Sequence, residues 1–186
     1  MGISPFVKWL ETFSFQNKMK LSHLSDLLNQ LIIKKDDLEK LSSLIEKHRD
    51  IIILGNGGSN SIASHIAQDY TKVLGKKAIS FSDPSRLTCY INDYGQDEAF
   101  TMFLTQLERP RSLVILISSS GESKNIINCL KYCQDRETKH VVLTGFKEDN
   151  TLRKKAKETS EVNYWVDSCD YGIVECLHQI FLHSVI

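Results

Sequence analysis

One segment, residues 51–74, constrains the fold of this chain more than any other. Its first four residues, Ile51–Leu54, are apolar and mostly β-branched, which predicts a buried strand that the glycine-rich turn GNGG ends abruptly. A helix follows at once, and either Ser59 or Asn60 can cap it. The turn therefore brings unpaired backbone N–H groups and the positive end of a helix dipole together, which favours a bound anion such as phosphate.

Neither of two familiar nucleotide-binding motifs fits this glycine-rich turn. A P-loop requires a Lys-Ser or Lys-Thr pair after the glycines, and none follows here. A dinucleotide-binding fingerprint starting at Gly55 and Gly57 has Asn60 where its third glycine belongs. A tight turn without a ligand stays open as the alternative reading of this turn taken alone.

A second loop, ISSSGES at residues 117–123, also lies between an apolar run and a helical pattern. Its four serines can surround a phosphate with hydroxyl groups while backbone N–H groups donate from the helix end. A serine-rich cap would explain one or two of these serines but not all of them. Two such loops at the same end of one sheet favour a phosphorylated ligand.

Strand and helix patterns alternate through the rest of the chain. The predicted strands cover residues 51–54, 77–81, 113–117, 139–143 and 162–166. This alternation predicts an α/β fold, a three-layer sandwich with a central, mostly parallel five-stranded sheet. Earlier apolar residues with helical spacing predict an N-terminal helical hairpin within residues 1–48, for packing or oligomerisation, ahead of a domain at 49–186. Residues 91–95 are expected to form a polar turn.

Composition argues against several classes of protein. Lysine plus arginine and aspartate plus glutamate both number 23, so the net charge is zero and no nucleic-acid partner is expected. No apolar run approaches the length of a membrane span, and the N-terminus lacks a signal-peptide pattern. The five cysteines include no C-x-x-C pair, which suggests reduced thiols and a cytoplasmic location.

The two loops together resemble those of the sugar isomerase (SIS) fold, which is flavodoxin-like, and more narrowly those of the phosphoheptose isomerase family. The resemblance runs from about Leu21 to the C-terminus. It includes the Asn92-Asp93-Tyr94-Gly95 sequence, the Leu143-Thr144-Gly145 strand end and the E-x-x-H-x-x-x-x-H pattern of the last helix. The combination is specific, whereas either loop alone indicates only the broader phosphosugar-binding fold.

The resemblance implies a role for individual residues. Those that would bind substrate are Asn56, Gly57, Gly58, Ser59, Asp93, Ser118, Ser119, Ser120, Ser123 and Glu175, the serines on the phosphate and Asn56 and Asp93 on sugar hydroxyls. One zinc ion per site would be held by His65, Asp69, Glu175 and His183. Asp69 would be the carbon base and His183 its acid/base partner on oxygen. The family also implies a homotetramer with active sites at subunit interfaces.

The sequence departs from the family pattern at two of these positions. Position 69 usually holds glutamate, so Asp69 is one methylene shorter and has less reach for proton transfer. Position 175 usually holds glutamine, and Glu175 adds an anionic oxygen that should bind zinc at least as well. The two changes can compensate for each other. His178 is expected to face a different side of the last helix from Glu175 and to have a structural role.

Three functions remain in competition. The first is an isomerase that converts sedoheptulose 7-phosphate to D-glycero-D-manno-heptose 7-phosphate through an enediolate, for heptose and lipopolysaccharide synthesis. The second is a regulator of the same fold that binds phosphosugar or protein without catalysis, and the third is an isomerase of another phosphosugar. The acidic residue at 69 together with His65, Glu175 and His183 favours an enzyme.

Overall fold

A computed structural model describes residues 25–29 and 34–186 of the chain. The chain divides into two compact units, Met1–Lys34 and Lys35–Ile186. Within the first unit, residues 25–29 are helical. The rest of the first predicted helix, and therefore the hairpin, lies outside the described residues. The second predicted N-terminal helix belongs to the second unit.

The second unit alternates strands and helices in the predicted order. Its strands are β1 (Asp50–Gly55), β2 (Lys77–Ser80), β3 (Leu113–Ser118), β4 (Lys139–Thr144) and β5 (Val162–Trp165). Its helices are α1 (Lys35–Lys47), α2 (Gly58–Leu74), α3 (Pro84–Tyr94), α4 (Ala99–Leu107), α5 (Lys124–Asp135), α6 (Thr151–Ala156) and α7 (Tyr171–His183). All five predicted strands are confirmed. None of the helices among the described residues has the length and apolar character needed to cross a bilayer.

The strands form one sheet in the order β2-β1-β3-β4-β5. Every neighbouring pair is parallel, so the sheet predicted to be mostly parallel is parallel throughout. Gly55 pairs with Ile117 in the register of β1 and β3, which places the ends of these two strands side by side. The strand order reverses between β1 and β3, and open α/β sheets bind ligands in the crevice at such a point.

The central strands are apolar along their whole length because helices cover both faces of the sheet. Residues of β1 and β3 alternate between the two faces, and their apolar side chains are almost completely buried. One face packs against an aromatic cluster in which the rings of Phe81 and Phe103 stack with centroids 4.3 Å apart. Tyr70 of α2 donates a hydrogen bond of 2.8 Å to the Leu182 carbonyl of α7, which joins these two helices.

Residues 91–95 do not form the predicted polar turn. They complete the last turn of α3, and the Gly95 N–H donates to the Ile91 carbonyl. The helix starts strongly, because the Asp83 side chain accepts a hydrogen bond of 2.9 Å from the Arg86 N–H and Pro84 occupies its first turn. The prediction gave too much weight to the polar side chains, which point to solvent here.

His178 is the one histidine among the described residues that is completely buried. Its Nε2–H donates a hydrogen bond of 3.0 Å to the Thr144 carbonyl, as befits the structural role expected of it. Burial lowers the pKa of His178 from 6.5 to about 4. The folded protein therefore holds this side chain neutral, whereas the unfolded chain takes up a proton below about pH 6.5.

This pKa shift predicts a loss of stability in mild acid. The contribution of neutral His178 is fully present above the unfolded pKa and disappears as pH falls towards the folded one. We expect the free energy of unfolding to drop by about 2 kcal/mol between pH 7 and pH 5 from this residue. Chemical denaturation across that range measures the drop. The variant His178→Gln should be less stable at pH 7 and should lose much of the pH dependence; an unchanged slope would contradict the assignment.

Candidate active site

A cavity of about 340 Å³ opens where β1 and β3 end. Nine of the ten predicted substrate-binding residues line it, all except Asp93. Ile117 and Tyr171 complete the lining, and Tyr171 was not predicted from the sequence. Among the described residues, the lining contains hydroxyl, amide and carboxylate groups but no lysine or arginine.

The first loop leaves the start of α2 open to this cavity. Gly57 occupies the N-cap position with φ of 53°, a conformation that glycine adopts without strain, and no side chain caps the helix. The prediction that Ser59 or Asn60 caps α2 is therefore wrong. Ser59 is instead buried in the cavity wall, and Asn60 accepts a hydrogen bond of 3.0 Å from the Ser82 hydroxyl.

The second loop also leaves a helix end without a side-chain cap. Ser123 is the N-cap residue of α5, but its hydroxyl lies 3.3 Å from that of Ser118 and does not bond the helix. The Ser119 hydroxyl is buried and has no hydrogen-bond partner among the described residues. Side chains cap α3, α6 and α7, and α7 also begins at the cavity, with Tyr171. The starts of α2 and α5 thus keep donors for an anion, and Ser119 adds a hydroxyl that lacks a partner in the described part of the chain.

Two asparagines join the loops to each other. The Asn56 amide donates to Asn125 Oδ1, and the Asn125 amide donates to Asn56 Oδ1, each over 2.9 Å. Asn56 was predicted to bind a sugar hydroxyl, and this pair leaves one N–H and one lone pair of its amide for that purpose. Asn125 was missed in the sequence. No local signal in the sequence points to this role, because the partner of Asn125 lies 69 residues away in the chain.

A further set of contacts holds the second loop against α6. The Glu122 carboxylate accepts hydrogen bonds from the Thr151 N–H (2.9 Å) and the Thr151 hydroxyl (2.7 Å), and these bonds lower the pKa of Glu122. Gly121 has φ of 69°, and a Cβ at this position would lie 1.9 Å from Asn150 Oδ1. Asn150 caps α6 through the Arg153 N–H, so it is not free to move away.

These contacts predict a large effect of Gly121→Ala. The new methyl group would displace Asn150 and strain the backbone, at a cost of about 3 kcal/mol in the free energy of unfolding. Phosphate affinity should fall as well, because the serines of this loop would shift. Gly75→Ala is the matched control, since Gly75 has φ of 64° and nothing lies within 4 Å of the place that its methyl group would take. It should cost about 1 kcal/mol and leave phosphate binding intact. Equal effects of the two substitutions in denaturation and calorimetry would contradict the packing argument.

His65, Asp69 and His183 form a compact cluster about two to three helical turns beyond the cavity-lining residues of α2 and α7. His65 and Asp69 lie one turn apart on α2, with Nε2 and Oδ2 separated by 3.3 Å. His183 comes from α7, and its Nε2 lies 3.2 Å from the same oxygen. The two imidazole rings stack with centroids 5.1 Å apart. The Tyr70–Leu182 hydrogen bond sits next to both helix segments and fixes their separation.

The cluster has the donor set of a metal site. Its three ligand atoms lie within 4.8 Å of one another, and they combine two imidazole nitrogens with one carboxylate oxygen, a set that suits zinc. The His183 Nε2 atom is buried, and it lies 3.2 Å from the Asp69 oxygen that would share the ion with it. The residues present therefore fit zinc.

Glu175 does not join the three other predicted ligands in this structure. Its carboxylate lies against Gly58, where a Cβ would be 2.3 Å from Oε2. Burial raises the pKa of Glu175. The Glu175 side chain thus lines the cavity, and its carboxylate lies against Gly58, the first residue of α2.

Asp93 lies away from this cavity. It is exposed on α3, where its carboxylate accepts hydrogen bonds from the Asn92 amide (2.9 Å) and the Cys89 thiol (3.5 Å). The predicted contact between Asp93 and a sugar hydroxyl is therefore not formed within one chain. The reason is that residues 91–95 continue the helix instead of turning back towards the sheet.

Known proteins share both the fold and the sequence pattern. Residues 20–145 match the family model described as SIS domain. The phosphoheptose isomerase of Aliarcobacter butzleri is 32% identical over 175 residues, which cover 89% of this chain and 90% of that protein. The phosphoheptose isomerase structure from Neisseria gonorrhoeae has a TM-score of 0.83 at 24% identity and covers 95% of this chain and 96% of its own.

A second solved structure extends the likeness of fold. The Vibrio vulnificus NanR protein complexed with ManNAc-6P has a TM-score of 0.66 at 18% identity and covers 99% of this chain and 68% of its own. At this identity the likeness shows the fold alone. The family match and the sequence relatives show more, and they confirm the resemblance seen in the two loops. The chain belongs to the SIS domain family and, within it, to the phosphoheptose isomerases.

Proposed function

We propose that this protein is an aldose/ketose isomerase that converts sedoheptulose 7-phosphate to D-glycero-D-manno-heptose 7-phosphate. One observation carries the proposal: Asp69 Oδ2 lies 3.3 Å from His65 Nε2 and 3.2 Å from His183 Nε2, on the two helices whose first turns also line the serine-rich cavity. The cavity suits the phosphate, and the cluster suits proton transfer. A protein that only binds phosphosugars needs the first and has no use for the second.

None of the described residues that line the cavity offers the phosphate a cationic side chain. Backbone N–H groups at the starts of α2 and α5 and the hydroxyls of Ser59, Ser119 and Ser120 supply the donors. Anchoring the phosphate at this end fixes the carbon chain in the direction of the cluster. Binding energy from the phosphate thereby serves to orient the reacting carbons.

Isomerisation moves one proton between adjacent carbons and one between adjacent oxygens. Asp69 removes the proton from C1 of the ketose and returns it to C2, while His183 transfers the proton of the C1 hydroxyl to the C2 oxygen. Both imidazole nitrogens face Oδ2 of Asp69, which leaves Oδ1 for the carbon-bound proton. The two transfers balance, so no redox cofactor is required.

Zinc completes the proposed site. His65, Asp69 and His183 would hold the ion, with Glu175 as the fourth ligand that the family resemblance implies. When bound, zinc supplies a Lewis acid that stabilises negative charge on the substrate oxygens. Glu175 must leave its place against Gly58 to reach the other three residues.

The proposal extends to assembly and location. We expect a homotetramer with sites at subunit interfaces, because the exposed Ile180 lies beside His183 on α7 and Asp93 lies outside its own chain's cavity. Native mass spectrometry measures the subunit count. All five cysteines are free thiols, in keeping with a cytoplasmic enzyme of heptose synthesis for lipopolysaccharide.

The competing function is phosphosugar binding without catalysis, and the NanR complex with ManNAc-6P shows that this fold can hold a different phosphosugar. A substrate panel tests both this alternative and an isomerase of another phosphosugar. Incubation with ketose phosphates of five, six and seven carbons, followed by NMR detection of the aldoses, should give turnover of the heptulose alone or with clear preference. Binding of several sugars with turnover of none would favour the binding protein.

A further inference from the structure

Tyr171 lines the cavity but has no part in the chemistry described above. It is the first residue of α7, whose start is fixed because the Asp170 side chain accepts a hydrogen bond of 3.2 Å from the Ile173 N–H. The Tyr171 side chain is 57% exposed, whereas most large aromatic side chains of the described residues are buried or half-buried. An aromatic ring held at the mouth of a polar cavity is available to a ligand.

Phe146 supports this ring from one side. The two rings meet edge to face with centroids 4.7 Å apart and an interplanar angle of 65°. Phe146 is itself fixed, since its N–H donates to the Ser168 carbonyl over 2.8 Å and its carbonyl accepts from Trp165 Nε1 over 3.3 Å. Such aromatic pairs have a preferred geometry, so Tyr171 is presented to the cavity in a defined orientation.

The composition of the cavity assigns this ring a partner. Serine hydroxyls and helix N–H groups serve the phosphate, while Asn56 and Glu175 are polar. Apart from Tyr171, the only large apolar residue of the lining within the described part of the chain is Ile117, which is completely buried in β3. Sugar chains present C–H groups that pack on aromatic rings, whereas phosphate oxygens need donors.

We infer that Tyr171 packs its ring on the carbon chain of the phosphosugar, next to the phosphate, and thereby contributes to the choice of substrate. That the ligand is a phosphosugar comes from the proposed function, on which this inference rests. It adds a residue that contacts the part of the substrate that differs between phosphosugars. The phosphate contacts are the same for all of them.

Two substitutions test the role of the ring. Tyr171→Ala removes the ring, and Tyr171→Phe removes only the hydroxyl. Because Tyr171 is exposed, both variants should have the melting temperature of the unsubstituted protein. Calorimetry then measures the affinity of each for sedoheptulose 7-phosphate and for inorganic phosphate. We expect Tyr171→Ala to weaken binding of the sugar phosphate about 10-fold and to leave inorganic phosphate unchanged. Tyr171→Phe should stay within about 2-fold of the unchanged protein for both.

Each other result overturns the inference. Unchanged affinity of Tyr171→Ala for the sugar phosphate would exclude contact with the chain. Equal losses for sugar phosphate and inorganic phosphate would assign Tyr171 to the phosphate, and equal losses in the Ala and Phe variants would assign the effect to the hydroxyl. Failure of the unchanged protein to bind the sugar phosphate would also exclude the contact. Binding without turnover, by contrast, contradicts the proposed function and leaves the ring's contribution measurable.

Discussion

Asp69→Asn is expected to lower kcat/KM for sedoheptulose 7-phosphate by about 1000-fold or more. The substitution keeps the size of the side chain but removes the negative charge that lies 3.3 Å from His65 Nε2 and 3.2 Å from His183 Nε2. It removes at once the proposed carbon base and a proposed anionic zinc ligand. Steady-state kinetics with added zinc measure the effect, and calorimetry on the same variant should show that phosphate binding survives.

Two further substitutions serve as controls for Asp69→Asn. Asp69→Glu restores the longer carboxylate that is usual in the family at this position, and it should retain activity well above that of the amide. Asp97→Asn removes an exposed carboxylate that lies 4.0 Å from Lys124 Nζ, and it should leave turnover unchanged. If Asp69→Asn turned over the substrate at the rate of the unchanged protein, the assignment of the carbon base would be wrong.

Ser119→Ala is expected to raise KM for the sugar phosphate by about 10- to 100-fold, because a hydrogen bond to a charged group contributes about 1.5–3 kcal/mol. Its effect on folding should have the opposite sign. The Ser119 hydroxyl is buried without a partner, so its removal relieves a desolvation cost and should leave the ligand-free protein as stable or more stable. Kinetics and chemical denaturation of one variant measure both effects.

Ser61, a serine of α2, gives the control for Ser119→Ala. Ser61 is exposed on α2, and its hydroxyl makes one long hydrogen bond of 3.5 Å to the Gly57 carbonyl. Ser61→Ala should change neither KM nor stability appreciably. A loss of stability in Ser119→Ala with unchanged KM would show that the hydroxyl supports the fold and does not bind phosphate.

The sheet could be predicted from sequence because its strands are short apolar runs bounded by turn residues. Ile51–Leu54 and Leu113–Ile117 are buried on both faces, and a continuous apolar run is what such burial requires. The meeting of the two loops could also be predicted, since parallel strands end at the same edge. Nine of the predicted substrate-binding residues consequently line one cavity.

The features that escaped prediction depend on single contacts or on backbone conformation. Gly57 occupies the N-cap position of α2 with φ of 53°, so no side chain caps this helix. The sequence does not show this backbone conformation, and Ser59 and Asn60 suggested a capped start instead. Asn125 acts through a partner 69 residues away, and no local pattern reports such a pair. Asp93 looked like a turn residue, yet the strong cap at Asp83 extends the helix through it.

The cluster of His65, Asp69 and His183 could be predicted in part. The spacing of His65 and Asp69 on one helix face places them together, as the structure confirms. The approach of His183 depends on how α7 packs against α2. The family resemblance implied this packing, whereas no local pattern in the sequence could predict it. Side-chain rotamers lie beyond sequence reasoning, and the Glu175 carboxylate lies against Gly58, apart from the other three predicted ligands.

Zinc-dependent isomerisation of sedoheptulose 7-phosphate by this cluster can be tested with an isomerase assay on the purified protein. Turnover is measured with added zinc, after chelation, and after zinc is restored. We expect turnover that chelation abolishes and that added zinc restores. Undetectable turnover in every condition, with sedoheptulose 7-phosphate still bound in calorimetry, would exclude an isomerase of this substrate and identify a phosphosugar-binding protein.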